Sequence, residues 1–111
     1  MNALETLKTY FGYDTFREGQ EKIVEAILAN RDVLAIMPTG AGKSICYQIP
    51  ALMLPGITLV ISPLISLMQD QVKALNDAGI HAAFINSSLT ENQIGKALYL
   101  AASGRYKIIY V

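Results

Sequence analysis

The clearest chemistry in this sequence lies in residues 37–44, which read Met-Pro-Thr-Gly-Ala-Gly-Lys-Ser. Gly40 and Gly42 let the backbone curl so that several N–H groups point into one concavity, which suits phosphate oxygens. A helix that follows directly adds its N-terminal amides and the positive end of its dipole. Lys43 can then reach the β- and γ-phosphates of a nucleotide, and the Ser44 hydroxyl can join the coordination shell of Mg²⁺.

One position departs from the strict phosphate-loop pattern, G-x-x-x-x-G-K-[ST], because Met37 stands where the pattern has glycine. The alternative interpretation is a glycine-containing turn between a strand and a helix, with an exposed lysine. The rest of the pattern holds, and we interpret the segment as a loop that binds nucleotide phosphates. The residues assigned to ATP binding are Pro38, Thr39, Gly40, Ala41, Gly42, Lys43 and Ser44, with Lys43 as the catalytic residue and Ser44 as the Mg²⁺ ligand.

The composition excludes several classes of protein. The chain has 111 residues, 52% of them hydrophobic and 16% charged, which is too apolar for a disordered segment. Its formal net charge of zero argues against a small basic protein that holds nucleic acid by bulk electrostatics. The single cysteine excludes an internal disulfide framework. The uncharged stretch between Lys43 and Asp70 is cut by three prolines and a glycine, so it does not predict a membrane-spanning helix.

Hydrophobic periodicity predicts helices that alternate with short apolar strands. The predicted helices cover residues 3–11, 17–29, 43–53, 64–78 and 91–102. The predicted strands cover residues 33–37, 57–61, 82–85 and 108–111. Strands that are apolar on both faces and separated by helices indicate a parallel sheet covered on each side. The predicted fold class is therefore α/β, a parallel sheet with flanking helices.

Three segments, in order along the chain, resemble the start of the RecQ-family DNA helicases of superfamily 2. The segments are residues 11–20, which include FGY and FREGQ, residues 37–50, which read MPTGAGKSICYQIP, and residues 60–72, which read VISPLISLMQDQV. The resemblance implies a P-loop NTPase (RecA-like) fold, ATP and Mg²⁺ as cofactors, and 3′–5′ unwinding of duplex DNA in repair and recombination. It also implies that a residue other than glycine is tolerated where Met37 stands.

The resemblance implies an adenine site upstream of the phosphate loop. Tyr13 is expected to stack on the base, Gln20 to hydrogen-bond its edge, and Arg17 to pack beside it. An aromatic face suits a base, and an amide with both donor and acceptor suits the N6/N7 edge of adenine. The alternative is that Tyr13 is a core aromatic at a helix end, and that Arg17 and Gln20 lie on a solvated helical face.

The resemblance also implies DNA contacts in two loops that follow predicted strands. The residues assigned to DNA binding are Ser62, Pro63, Leu64, Gln69, Asn86 and Ser87. Small hydroxyls and helix-start amides can hold backbone phosphates without basic charge. The alternatives are helix caps: Ser62 as N-cap with Pro63 at the first helical position, and residues 86–88 as the cap of the helix at 91. At Ser62 both interpretations can hold, since capping leaves other donors free.

An acidic motif needed for hydrolysis is missing from this sequence. An acidic residue at the end of another strand must hold Mg²⁺ and position water, but the chain has no adjacent Asp-Glu pair. Because Val111 falls within an apolar run, we expect a truncated N-terminal portion of the first RecA-like domain. Residues 1–30 form its helical adenine-motif region, and residues 31–111 form its βα units with the P-loop. A second RecA-like domain is expected beyond Val111.

Two other functions stay open: a stand-alone nucleotide- or phosphate-binding module, and a P-loop enzyme that transfers phosphate to a metabolite. The adenine residues and the loop at 62–64 favour the helicase. We expect no zinc site, because His81 has no partner at ligand spacing, and we expect Cys46 to pack as a small hydrophobe. The expected partners are single-stranded and duplex DNA, without a membrane. The expected location is the cytoplasm, of bacterial type and associated with the nucleoid.

Overall fold

The computed structural model describes residues 1–37 and 42–111. Four residues assigned to the phosphate loop, Pro38, Thr39, Gly40 and Ala41, lie outside the described residues. Contacts along the chain form two compact units, residues 1–55 and residues 56–111. Helices alternate with parallel strands in the second unit, so the predicted α/β class is confirmed.

The first unit is built from helices. Helix α1 (Ala3–Thr6) runs on into a π-helical turn (Leu7–Phe11), followed by α2 (Gln20–Leu28) and α3 (Lys43–Met53). The predictions for residues 3–11 and 43–53 are confirmed. Helix α2 begins three residues later than predicted, because Gly19 precedes it in the left-handed conformation with φ 87°. Glycine is the residue that adopts this conformation without a steric cost.

Four buried side chains hold the three helical segments together. Leu7, Val24, Ile45 and Ile49 form one hydrophobic cluster. Ile45 and Ile49 lie four residues apart, so both project from the same face of α3. Partly buried hydrophobic side chains pack against this cluster, namely Ala3, Phe11, Phe16, Leu28 and Met53. The cluster therefore packs α2, α3 and the π-helical turn against one another.

The predicted strand over residues 33–37 is wrong, because these residues form no strand. Leu34 and Ile36 are each 90% exposed. The apolar run predicts a strand buried on both faces. A strand also requires a backbone partner for its N–H and C=O groups, and the described residues of the first unit contain no strand to supply one.

The second unit is a three-stranded parallel sheet with two helices. Its elements are β1 (Thr58–Val60), α4 (Ile65–Asp77), β2 (Ala82–Phe84), α5 (Glu91–Ala102) and β3 (Ile108–Tyr110). The strand order is β1-β3-β2, and Ile108 pairs with Thr58 on one side and Ala82 on the other. The three strands and two helices predicted from residue 57 onward are thus confirmed, and the strands are shorter than expected.

The centre of this sheet is its most buried part. All three residues of β3 are buried, and α4 packs on β2 with Met68, Val72 and Leu75 buried at helical spacing. Strand β1 is different, since Leu59 is 64% exposed. The predicted coverage of both sheet faces therefore holds for β3 and not for the edge strand β1. Within the described residues, every helix is too short or too polar to span a bilayer.

Candidate nucleotide site and nucleic-acid interface

The described part of the phosphate loop ends at a helix start suited to an anion. Gly42 is the N-cap residue of α3 and adopts the left-handed conformation, with φ 75° and ψ 39°. Lys43 is the first residue of this 11-residue helix and is exposed, and Ser44 follows it, half-buried. The amides of a first helical turn point along the axis, together with the positive end of the dipole. Backbone donors, one lysine and one hydroxyl therefore meet at the place predicted for phosphates and Mg²⁺.

Gln20 connects the predicted adenine residues with the phosphate loop. Its Nε2 donates a hydrogen bond to the Gly42 carbonyl oxygen at 3.0 Å. Its Oε1 accepts a hydrogen bond from the Arg17 backbone N–H at 2.7 Å. The side chain is only 3% exposed. The amide is thus held between the backbone groups of residues 17 and 42, which are 25 positions apart in sequence.

A small cavity of about 60 Å³ lies beside this glutamine. It brings together all three predicted adenine residues and the end of the phosphate loop; its lining is Tyr13, Thr15, Arg17, Gln20, Gly42 and Ile45. Thr15 and Ile45 were not predicted. The signal for Thr15 is its position between Tyr13 and Arg17, and Ile45 has no sequence signal, because its helical spacing indicates only a core residue.

The structural alternatives for the adenine residues fail at two of the three positions. Tyr13 is 53% exposed, so it is not a core aromatic at a helix end. Gln20 is buried, so it does not lie on a solvated helical face. Arg17 is exposed, which agrees with either interpretation. An exposed aromatic ring next to a buried amide leaves a ring face available for stacking.

Cys46 lies one helical turn from the phosphate loop and packs as an apolar side chain. Its Sγ is 3.9 Å from Met37 Sδ and 3.9 Å from the Gly42 carbonyl oxygen. Burial raises the pKa of the Cys46 thiol, and a backbone hydrogen bond offsets part of this rise. The thiol therefore stays protonated at neutral pH and is a poor nucleophile. Among the described residues, His, Cys, Asp and Glu side chains form no group of three that could hold a metal ion.

The two predicted DNA-contacting loops lie at the same end of the sheet in the second unit, where the parallel strands end. Residues 62–64 follow β1 and residues 86–88 follow β2, and both strands are parallel to β3 between them. The Ser62 N–H donates to the Val111 carbonyl oxygen at 3.1 Å, and the Ile85 N–H donates to the Tyr110 carbonyl oxygen at 2.8 Å. The loops are therefore about two strand spacings apart, roughly 10 Å.

Ser62 does not cap the helix that follows it. Helix α4 begins at Ile65, its N-cap residue is Leu64, and no side chain caps it. The Ser62 hydroxyl instead accepts a long hydrogen bond, 3.4 Å, from the Leu64 N–H. The predicted capping alternative is wrong, because a local turn places Pro63 and Leu64 before the helix. Pro63, Leu64 and Gln69 are exposed, and Ser62 is half-buried.

The loop after β2 is likewise no helix cap. Thr90 caps α5 through a reciprocal pair of bonds with Gln93, at 3.2 Å and 2.8 Å. This capping box was readable from the sequence as Thr-x-x-Gln. Asn86 instead accepts from the Ser88 N–H at 2.9 Å and donates from Nδ2 to Met68 Sδ at 3.4 Å. Asn86 thus links its loop to α4, and Ser87 is left exposed.

A parallel sheet with flanking helices and a helix start preceded by glycine are each features of α/β domains of the P-loop type. Residues 17–111 match the DEAD/DEAH box helicase family. The chain belongs to this family.

Individual relatives agree with this assignment. Over 98% of its length, the chain is 54% identical to "ATP-dependent DNA helicase RecQ" of Haemophilus influenzae and 53% identical to the protein of the same name in Bacillus subtilis. It spans 18% and 19% of these two relatives, about a fifth of their length. A solved structure, a hypothetical ATP-dependent RNA helicase from Sulfolobus tokodaii, superposes with a TM-score of 0.78 at 23% identity, covering 99% of this chain and 33% of its own. This likeness shows that the chain has the same fold as that region of the solved structure.

Proposed function

We propose that this chain is the N-terminal portion of the first RecA-like domain of an ATP-dependent DNA helicase resembling RecQ. The division into an adenine-motif region, residues 1–30, and βα units with the P-loop, residues 31–111, is part of this proposal. The observation that carries it is the cavity shared by Tyr13, Arg17, Gln20 and Gly42. A module that binds only phosphate has no use for a base site joined to its loop. A stand-alone nucleotide-binding module would share this cavity and differs from the helicase in having no motor activity.

Each residue of the site has a distinct role in the proposed ATP complex. Tyr13 stacks on the adenine, and Arg17 packs beside it. Gln20 keeps one N–H and one lone pair beyond its two backbone bonds, and these read the base edge. Lys43 contacts the β- and γ-phosphates. The Ser44 hydroxyl helps to hold Mg²⁺, which neutralises phosphate charge during phosphoryl transfer.

The proposed DNA surface lies at the C-terminal end of the strands. It is formed by residues 62–64 and 86–88, with Gln69 on α4. Its exposed polar side chains are the Gln69 amide and the hydroxyls of Ser87 and Ser88, which suit the sugar-phosphate backbone, and Pro63 and Leu64 are exposed beside them. The full-length protein is proposed to bind single-stranded and duplex DNA and to unwind the duplex 3′–5′ in repair and recombination. A second RecA-like domain is proposed beyond Val111. We propose a cytoplasmic location, with the nucleoid.

A strand-displacement assay on the full-length protein tests the function as a whole. Duplexes with a 3′ or a 5′ single-stranded tail are compared, with ATP and Mg²⁺. We expect unwinding of the 3′-tailed duplex, with hydrolysis that DNA stimulates. Nucleotide binding without DNA stimulation would favour the binding module, and phosphate transfer to a small metabolite would favour the third function.

Base recognition gives the first prediction. Tyr13→Ala and Gln20→Ala are each expected to raise the KM for ATP, and Gln20→Ala is expected to relax discrimination against GTP. Loss of stacking on one base costs about 1–3 kcal/mol, which predicts roughly a fivefold or larger rise in KM for Tyr13→Ala. Steady-state hydrolysis with ATP and GTP measures both effects. Tyr13→Phe is the matched control and keeps the ring. An unchanged ATP/GTP preference in Gln20→Ala contradicts base reading by this residue.

The DNA surface gives the second prediction. Ser87→Glu places a negative charge at an exposed loop position and is expected to weaken binding of single-stranded DNA about tenfold at low salt, because the charge faces phosphates. Fluorescence anisotropy with a labelled oligonucleotide measures the affinity. Ser103→Glu, at the exposed C-terminal end of α5, adds the same charge away from the loops. Equal effects of the two variants would mean that residue 87 lies outside the DNA surface.

A further inference from the structure

The side chain of Asn86 has only one possible amide orientation. Its Oδ1 lies 2.9 Å from the Ser88 backbone nitrogen, whose N–H can only donate, and the Ser88 hydroxyl donates to the same oxygen. Nδ2 therefore faces the other way, where it donates to Met68 Sδ at 3.4 Å, a sulfur that can only accept. Both lone pairs of Oδ1 and one of the two N–H groups are thus used inside the protein.

Met68 lies between the two loops of the proposed DNA surface. Its backbone N–H donates to the Leu64 carbonyl oxygen at 3.1 Å, and its sulfur accepts from Asn86. Leu64 belongs to the loop at 62–64 and Asn86 to the loop at 86–88. One residue therefore connects both loops, through its backbone on one side and its side chain on the other. Since Met68 is 3% exposed, this connection runs beneath the surface and does not itself meet DNA.

Helix α4 is held along β2 at a second point. Asn76, near the end of the helix, accepts a hydrogen bond from the Ala82 N–H at 3.1 Å, at the start of β2. Between Asn76 and Met68, the side chains of Val72 and Leu75 are buried. Polar bonds at both ends and apolar packing between them set the position of the helix along the strand. The start of α4 is therefore held at a fixed distance from the loop after β2.

We propose that Met68 and Asn86 are positioning residues for DNA binding, which hold the loops at 62–64 and 86–88 as one rigid surface. A surface already held in its binding geometry loses less conformational entropy when a strand binds. This inference rests on the proposed DNA surface. It predicts a property that direct contact by Asn86 does not give: a change at the buried Met68 weakens DNA binding.

Met68→Leu in the full-length protein is the main test. Leucine has a similar volume and keeps the backbone bond to Leu64, but it has no acceptor for the Asn86 amide. The concentration of a single-stranded oligonucleotide that half-maximally stimulates ATP hydrolysis is measured. We expect this concentration to rise about three- to tenfold, the effect of one lost hydrogen bond. Turnover at saturating DNA and the KM for ATP are expected to stay within about twofold of the wild type.

A double-mutant cycle tests whether the two residues act through each other. Asn86→Ala alone is expected to weaken DNA binding at least as much as Met68→Leu, because it also removes the bonds to Ser88. Adding Met68→Leu to Asn86→Ala is expected to cause no further loss, since the bond between them is already gone. Independent effects would instead multiply.

Val72→Ala is the matched control for packing. Val72 is buried on the same face of α4, one turn after Met68, and it takes no part in the bond to Asn86. Its truncation leaves a small cavity, so we expect a larger fall in melting temperature than Met68→Leu causes. Its affinity for the oligonucleotide is expected to match the wild type. A variant that is less stable and still binds normally separates positioning from general stability.

The outcomes distinguish this inference from the proposed function. If Asn86→Ala weakens DNA binding and Met68→Leu does not, Asn86 contacts DNA directly and the positioning role is overturned. Multiplying effects in the double variant, or an equal loss in Val72→Ala, overturn it as well. If the wild type does not bind the oligonucleotide, the proposed DNA surface itself is overturned.

Discussion

Lys43→Ala in the full-length protein is expected to abolish DNA-stimulated ATP hydrolysis. Lys43 is the only charged side chain in residues 37–44, and it stands at the exposed start of α3. Removing one group that stabilises transition-state charge lowers turnover on the order of 10²–10³-fold, and more where that group is the main charge on the phosphates. Phosphate release at saturating ATP and DNA measures the loss.

Lys73→Ala is the matched control for this experiment. Lys73 is an exposed lysine on α4 that forms a surface ion pair with Asp77 at 3.3 Å. Such pairs contribute about 0–1 kcal/mol to stability, so we expect turnover within about twofold of the wild type. Near wild-type turnover in Lys43→Ala would contradict the assignment of residues 37–44 as a phosphate loop. An equal loss in both variants would indicate a general effect of removing lysine.

Helices were the part of the fold most open to prediction from sequence. Residues 43–53 and 91–102 match their predicted bounds, because apolar spacing and the following turn residues specify them locally. The strand predicted over residues 33–37 is absent and Leu34 and Ile36 are exposed, because an apolar run specifies neither a pairing partner nor the segments that would cover it. Pairing in this sheet joins β1 and β2 through β3, the last strand in sequence. Local periodicity contains no information on that order.

The candidate site was predictable in its residue types and less so in its geometry. Tyr13, Arg17 and Gln20 do meet at one cavity, next to Gly42. The sequence did not reveal that Gln20 is buried with its amide held by Arg17 and Gly42, because the partner lies 22 residues away. A contact of this length depends on how α2 and α3 pack around Val24 and Ile45, and spacing within one helix cannot supply it.

Residues 1–111 produced by themselves are expected to show no ATP hydrolysis, with or without DNA. The chain has no adjacent Asp-Glu pair to hold Mg²⁺ and position water at a strand end. The proposed second RecA-like domain, which is expected to supply an arginine to the phosphates, is also missing from such a sample. Loss of an arginine finger alone costs on the order of 10³–10⁵ in turnover, so loss of both groups leaves no measurable rate.

Nucleotide binding by the same sample is expected to be weak or absent, for a reason that lies in folding. Leu34 and Ile36 are 90% exposed and Ile61 is 86% exposed, so large apolar side chains face water in both units. Exposed apolar surface of this kind promotes association and lowers the stability of the isolated chain. Calorimetry with Mg-ATP, light scattering and a phosphate-release assay on one preparation test the prediction. Lys43→Ala in the same sample is the control for any residual binding. Robust phosphate release that DNA stimulates and that Lys43→Ala abolishes would contradict it, because residues 1–111 would then contain every group that hydrolysis requires.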